Sequence, residues 1–417
     1  MTARTHTTRM TDGHDSTLLD APLRALRAQF REWGADFSRH ALALDADPEW
    51  VRHCFDLPAV RYLARMGIPA AYGHDPEPIA GRRFFGELAL ERAVIMEELA
   101  CADAGMLIAA PGPLLAGVLV EVLADAAQKE WFYGRMTAEP LWTCFALTEP
   151  DHGSDAAAMT TSLTPLGEGD GLELRGAKRY VGNAARAQIG VVFARTGPGP
   201  LGVSAVLTAT DVPGFRATAL PMIGLRGALI SSIELDGVAI GEDQILGRHL
   251  SPSRRGTWAF IQTFNRLRPG VAAIALGIAR AAHAYVCDNR RQLTADERHR
   301  LDRLGRQVRA CRELVHRAAA AVDHDGASGH LPSAAKVRAA RLAEEATLQA
   351  CAFFGPGARL EHPLLDKLAR DARAMEFLEG TSSMQKLNLF QGYRSHRFDR
   401  DRPFPAPATD GVTPSAP

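Results

Sequence analysis

Glu379 is the residue whose type and setting most suggest proton chemistry. Leu365, Leu368, Ala372 and Met375 recur at helical spacing, and Glu379 continues that face. Gly380 stops the helix, and Ser382 with Gln385 three residues on reads as a capping box opening a second one. The pattern predicts a carboxylate at a break between two helices, pointing inward. An inward carboxylate is costly unless something in the site uses it. For a lone Glu-Gly pair the ordinary reading is a helix-end glutamate in a salt bridge. The second chemical stretch runs from Cys144 to Asp155, where a strand enters a loop containing glycine. The hydroxyls of Thr148 and Ser154 and the free backbone N–H groups near Gly153 suit a polar heterocycle or a phosphate. Taken alone, the stretch also reads as a solvated turn after a strand.

Positioning these groups requires helices on both sides of a sheet-forming region. Asp20 reads as the cap of a helix with Pro22 in its first turn and Leu23, Leu26, Phe30 and Trp33 on one face. Helices over 60–66, 87–101 and 114–131 follow, so residues 17–140 are expected to form a helical domain. Short, often alternating runs at 142–147, 172–174, 189–194, 203–208 and 230–235 are separated by Gly, Pro and Asp clusters. They predict a middle antiparallel β-barrel or sandwich domain over 141–250. Helical periodicity returns over 260–267, 271–287, 300–322, 334–353 and 365–391, which reads as a C-terminal helical bundle over 251–398. The fold class is α+β, with helix, strand and helix blocks in succession and no βαβ unit. Residues 1–16 and the proline-rich 399–417 are expected to be a disordered leader and tail.

Composition narrows the function classes. At 417 residues the chain has room for two or three units of ordinary domain size. Lys+Arg and Asp+Glu balance at 48 each, so no net field attracts nucleic acid or an anionic membrane. Six cysteines without a CxxC pair suggest a reducing compartment. Fourteen histidines include no HExxH spacing, so no metal site is expected. The first sixteen residues lack the apolar segment of a signal peptide, and the longest apolar run, 271–279, is far below the ~20 residues that span a bilayer. A cytoplasmic protein is expected.

Arg370-Asp371-Ala372-Arg373 followed by Glu379-Gly380-Thr381 resembles the C-terminal signature of acyl-CoA dehydrogenases. Leu147-Thr148-Glu149-Pro150-x-x-Gly153-Ser154-Asp155 resembles the family's first flavin motif, and Gly176-Ala-Lys178-Arg-Tyr180-Val-Gly182-Asn183 its next segment. The resemblance covers roughly residues 20–395 and implies FAD as cofactor. It implies that Phe145, Leu147 and Thr148 border the flavin ring, that Ser154 reaches the pyrophosphate beside Gly153, and that Tyr180 flanks the ring. Thr381 is placed with the cofactor residues and Gly380 with the substrate residues. Gly182 stands where the family usually carries a hydroxyl that contacts flavin N5.

Gly224-x-Arg226 resembles a turn with structural work only. Phe264-Asn265-Arg266-Leu267-Arg268-Pro269 resembles the start of the helix bordering the acyl channel, with Asn265 in place of the usual acid. Arg268 would hold the Glu379 loop or a substrate phosphate, or make a plain salt bridge. Some branches of the family place their base where Leu267 stands, which leaves Glu379 as the candidate here. Arg290 or Arg291, and Gly355 with Gly357, stand in for segments that reach a neighbouring subunit's cofactor.

The reaction implied is α,β-dehydrogenation of an acyl thioester, with Glu379 taking the α-proton as hydride leaves the β-carbon for flavin N5. The partners implied are acyl-CoA or an acyl-carrier-protein thioester, an electron acceptor (electron-transfer flavoprotein or oxygen) and copies of the chain in a homodimer or homotetramer. A flavin-free scaffold and a flavin oxygenase are the alternatives that retention of Glu379 argues against.

Overall fold

The computed structural model describes residues 16–166, 171–199, 201–326 and 328–398. The expected leader, apart from Ser16, and the expected tail lie outside the described residues. Ser16 is buried, and its hydroxyl donates to Glu313 at 3.1 Å.

The Asp20 carboxylate accepts the Leu23 N–H at 2.8 Å and opens α1 (Ala21–Ala46), with Leu23, Leu26 and Phe30 buried as the periodicity requires. A short α2 (Pro58–Leu63) follows. The next helix, α3 (Ala89–Ala109), runs eight residues past the expected end at Cys101. Asp103 leaves helical geometry within it, and its carboxylate accepts the Met106 N–H at 2.6 Å. The single helix expected over 114–131 is two, α4 (Leu114–Leu123) and α5 (Ala126–Ala138). Asp125 and Gln128 form a reciprocal capping box that restarts the chain there.

Seven strands form one curled sheet: β1 (Thr143–Ala146), β2 (Ser162–Pro165), β3 (Leu172–Val181), β4 (Ile189–Arg195), β5 (Val203–Ala209), β6 (Phe215–Ala219) and β7 (Ser231–Ile240). The order is β1-β4-β2-β3-β7-β6, with β5 also on β4. Pairing is antiparallel for β2–β3, β3–β7, β4–β5 and β6–β7, as expected, whereas β1 and β2 run parallel to β4. Sequence reading missed β2 and β6, which bury one residue each, because so few apolar positions give no alternation to count.

The C-terminal helices are α6 (Gly256–Asn289), α7 (Ala295–His324), α8 (His330–Ala352), a one-turn α9 (Ala358–Glu361), α10 (Pro363–Ala374) and α11 (Ser382–Arg394). The break expected near Pro269 does not occur, and α6 is continuous for 34 residues. A proline inside a helix costs about 3 kcal/mol. Burying Val271, Ile274, Leu276 and Ile278 against α3 and α8 returns about 1.5–3 kcal/mol per side chain, so packing wins. This apolar helix is long enough to cross a membrane, but 72% of its apolar window is buried inside the protein.

A buried ionic joint ties the three regions together. Lys367 Nζ on α10 donates to Asp103 at 2.5 Å and to Asp371 at 2.6 Å, and the other Asp371 oxygen accepts the Leu225 N–H at 2.6 Å. Gly224 lies against the Arg370 carbonyl so closely that a side chain there would collide with backbone. The Gly224–Gly227 turn therefore works as a structural joint. Lys367→Met would leave two buried carboxylates facing each other without their cation, and is expected to cost about 3–5 kcal/mol. Urea unfolding checks this: the midpoint should fall sharply in Lys367→Met, and adding Asp103→Asn should restore part of the loss.

Candidate active site

Glu379 sits on a turn that helical periodicity does not describe. Leu365, Leu368, Ala372 and Met375 are buried as expected, but α10 ends at Ala374, and Glu379 does not extend it. The backbone turns over 375–378, and Glu379 (φ 51°) and Gly380 (φ 98°) both adopt left-handed conformations, which no helix can accommodate. The expected Ser382–Gln385 capping box is absent. Thr381 is the N-cap of α11, with no side-chain cap bond. The Glu376 carboxylate takes over, accepting the Ser382 N–H at 2.8 Å and the Ser382 hydroxyl at 2.5 Å. Gln385 turns back instead, donating to the carbonyls of Glu379 (3.0 Å) and Gly380 (3.2 Å).

The inward direction of the carboxylate does hold. Glu379 Oε2 is buried without a hydrogen-bond partner among the described residues. Burial raises its pKa, against the opposing charges of Arg268, Lys336 and Arg92, and the balance leaves it at about 7. None of these cations pairs directly with it among the described residues, so the salt-bridge reading fails. Arg268, on α6, donates to Asn265 Oδ1 at 2.8 Å, and its Nε has no partner among the described residues.

The two flavin-like segments lie side by side. Arg179 N–H donates to the Thr148 carbonyl at 2.9 Å, and buried Lys178 Nζ donates to the Leu147 carbonyl and to Glu149, each at 3.0 Å. Burial alone would raise the Glu149 carboxyl, but hydrogen bonds from Thr161 and Thr160 and the Lys178 charge bring it down to about 2. A shift in register between Lys178 and Val181 gives Tyr180 a φ of 60° and turns its ring outward, 58% exposed. Tyr180, which the resemblance places against the flavin ring, is thus an exposed ring with the Arg179 guanidinium 5.3 Å from its centroid, and the Arg179 N–H ties it to the 148–154 loop. Gly182 lies in the turn after β3, one residue beyond its end at Val181. Gly153 and Ser154 are exposed, and nothing lies within 4 Å of where a Gly153 side chain would begin.

An exposed aromatic ring, the half-buried Thr148 hydroxyl and an open Gly153–Ser154 strip fit a flat heterocycle with a polar tail. Phe145, half-buried, carries this surface to α6, with its ring 5.8 Å from that of Phe264. Arg268 follows four residues on, roughly one turn or ~6 Å along the axis. One helix thus serves both the 145–154 segment and Glu379. Leu147 is buried in the apolar cluster that includes Val191, Phe193 and Phe260, and Thr381 is half-buried.

Arg290 and the Gly355–Gly357 turn are not brought to this surface by any hydrogen bond, ion pair or ring contact among the described residues. Arg290 ends α6, bonds Glu297 at 2.9 Å and lines a hollow of about 710 Å³ with Arg291 and Thr294. Gly355 (φ 81°) is exposed beside Phe354, which stacks on His362 at 4.2 Å. Sequence reading missed Arg92 and Lys336. A signal for Lys336 existed: the chain has only five lysines (129, 178, 336, 367 and 386), so arginine supplies nearly all its cations. Lys178, Lys336 and Lys367 are 0, 1 and 2% exposed, so a lysine here tends to mark a buried cation.

Comparison with known proteins settles the family. Residues 144–238 match the family model for the acyl-CoA dehydrogenase middle domain, and residues 254–393 match that for the C-terminal domain. The human mitochondrial short-chain specific acyl-CoA dehydrogenase is 30% identical over 372 residues, covering 85% of this chain and 87% of its own. The chain belongs to the acyl-CoA dehydrogenase family. Butyryl-CoA dehydrogenase from Megasphaera elsdenii, 25% identical, superposes with a TM-score of 0.76 over 91% of this chain and 100% of its own. The prolyl acyl carrier protein oxidase AnaB shares the fold (TM-score 0.74, 20% identity, 88% of this chain and 98% of its own). This acyl-CoA dehydrogenase family member is an FAD-dependent oxidoreductase acting on CH–CH donors.

A side chain at Gly182 would meet only Ile230 Cδ1 at 3.9 Å and the Ala228 carbonyl at 4.0 Å, both ordinary contacts. Gly182→Thr is therefore expected to retain FAD and to change stability by no more than about 0.5 kcal/mol. Chemical denaturation and flavin absorbance of the purified variant check this.

Proposed function

We propose that this enzyme dehydrogenates an acyl thioester between its α- and β-carbons, with Glu379 as the base that takes the α-proton. The observation that supports this reading is the Glu379 carboxyl, whose Oε2 is buried without a partner among the described residues and whose pKa is raised to about 7. A base works best when its pKa lies near the operating pH, because it is then ionised often enough and still accepts a proton readily. Bound FAD supplies the acceptor for the hydride that leaves the β-carbon. Phe145, Leu147, Thr148, Gly153, Ser154, Tyr180, Gly182 and Thr381 would hold it. As the α-proton leaves, negative charge develops on the thioester oxygen. The Glu379 N–H makes no hydrogen bond among the described residues, so it is free to meet that charge. Asn265, Arg268 and Gly380 are assigned to the substrate side. Arg290, Gly355 and Gly357 are assigned to the cofactor of a neighbouring copy.

Glu379→Gln is nearly isosteric but cannot accept the proton, so it is expected to bind FAD and thioester yet reduce flavin ~10²–10⁴-fold more slowly. Anaerobic stopped-flow with an acyl-CoA panel measures this, and a near-wild-type rate would remove Glu379 from the role. Bleaching by a carrier-protein thioester alone would move the substrate to that carrier.

The pH dependence follows from the same carboxyl. The wild-type reduction rate is expected to rise with pH through about 7 as Glu379 loses its proton. Folding favours the protonated form. The stability Glu379 contributes is therefore full below its usual 4.5 and lost as pH rises through about 7. Above pH 7, Glu379→Gln should consequently melt higher than the wild type, as calorimetry at pH 5 and pH 8 would show.

A further inference from the structure

We infer that Lys336, Ser333 and Gln385 form a clamp that positions the Glu379–Gly380 turn by gripping its backbone carbonyls. Lys336 Nζ donates to the Glu376 carbonyl and to the Gly380 carbonyl, each at 2.7 Å, so its bonds bracket Glu379 on both sides. Gln385 Nε2 donates to the carbonyls of Glu379 and Gly380, at 3.0 and 3.2 Å. Ser333, one turn before Lys336 on α8, donates its hydroxyl to Gln385 Oε1 at 2.9 Å and so fixes which way the amide points. All three side chains are buried, at 0, 1 and 1% exposure for Ser333, Lys336 and Gln385.

The placement of Lys336 is unusual for a buried ammonium. No carboxylate pairs with it among the described residues, and its stripe of α8 is otherwise small and apolar, with Ala335, Ala339, Ala340 and Ala343 buried around it. An ammonium taken out of water needs hydrogen bonds in return, and here they come from main-chain oxygens of the turn that carries the base. The grip also fixes direction. A peptide's C=O and the next N–H point opposite ways, so carbonyls drawn toward α8 and α11 turn the Gly380 and Thr381 N–H groups the other way. The φ of 51° at Glu379 is a conformation that glutamate does not favour by itself, so the surrounding bonds must hold it. Lys336 is thus a positioning residue, acting through Glu379.

The inference rests on the reading of Glu379 as base, and the test separates the two. The charged groups around Glu379 are Arg92 from α3, Arg268 from α6 and Lys336 from α8, with Asp323 of α7 beside Arg92. Glu376 lies in its own turn, bonded to Ser382, with Lys386 of α11 beyond it. Removing the Lys336 charge takes away one of the three cations that hold Glu379 down.

The FAD-loaded full chain is assayed with butyryl-CoA as the probe. Lys336→Met and Gln385→Met are expected to lower the limiting rate of flavin reduction by about 10–100-fold, the scale of a misplaced catalytic group, while KM changes less than about threefold. Lys336→Arg should recover part of the rate. The acidic limb of the pH profile should move to higher pH in Lys336→Met and stay in place in Gln385→Met, which removes no charge. Amide hydrogen exchange over residues 376–385 should quicken in both. If Lys336→Met does not fold, Ser333→Ala, which keeps every charge, should still slow reduction with its pH limb unmoved.

Wild-type rates and exchange in Gln385→Met and Ser333→Ala would overturn the clamp. So would losses that track FAD content alone. Should Glu379→Gln itself reduce at the wild-type rate, the base reading fails; should it be inactive while the clamp variants behave as wild type, only the clamp fails.

Discussion

Lys367 lies between two carboxylates that belong to different parts of the chain, and the geometry of the site depends on that ion triad. Asp103 is at the kink of α3, Asp371 is one turn along α10, and Asp371 also receives the N–H of Leu225 from the connection between β6 and β7. Three buried charges would be a poor way to gain stability alone, since desolvation can exceed their attraction. What the arrangement supplies is register. It fixes α10 against both the first helical region and the sheet, and the turn bearing Glu379 begins where α10 ends. Charge balance repeats higher in the bundle, where buried Arg280 joins Glu97 at 2.8 Å and Glu98 at 3.0 Å, holding α3 and α6 together.

Those two helices carry cations that surround Glu379. Arg92 comes from α3 and Arg268 from α6, while α8, on the far side of α6, brings Lys336. The sheet contributes through Phe145, whose ring lies 5.2 Å from Phe193 within the sheet and 5.8 Å from Phe264 on α6. Continuity of α6 through Pro269 is therefore a functional matter. A break there would uncouple Phe264, on the side of the 145–154 segment, from the apolar half of the helix that is locked into the bundle.

The motifs were legible because they are long and local. Leu147 to Asp155 and Arg370 to Thr381 each carry enough ordered residue types to indicate the family and its flavin, and the burial of Leu365, Leu368, Ala372 and Met375 followed from spacing. What escaped was set by distant partners. Nothing near Glu379 in sequence calls for a left-handed glutamate; bonds from Lys336, 43 positions earlier, and Gln385 impose it. The outward turn of Tyr180 arises from a register shift against β7, which no reading of β3 alone contains. The split of α4 from α5, by contrast, was within reach, since Asp125 and Gln128 have the spacing of a capping box.

The electrostatics of Glu379 turn on cations that are near without touching. Full burial can raise a carboxyl by about 3–5 pK units, which would leave it protonated and useless as a base at neutral pH. A direct ion pair would err the other way, lowering it by about 1–3 units and covering the lone pair that the proposed proton transfer would use. Acting together, cations held back by their own hydrogen bonds offset part of the rise, bring the Glu379 carboxyl to about 7 and leave Oε2 without a partner among the described residues. Arg268 is restrained by Asn265, Lys336 by two carbonyls, and Arg92 by the carbonyls of Gly86, Glu87 and Arg266. Each restraint uses a neutral oxygen, which orients the cation without cancelling its charge, and so the field at Glu379 survives while the contact is denied.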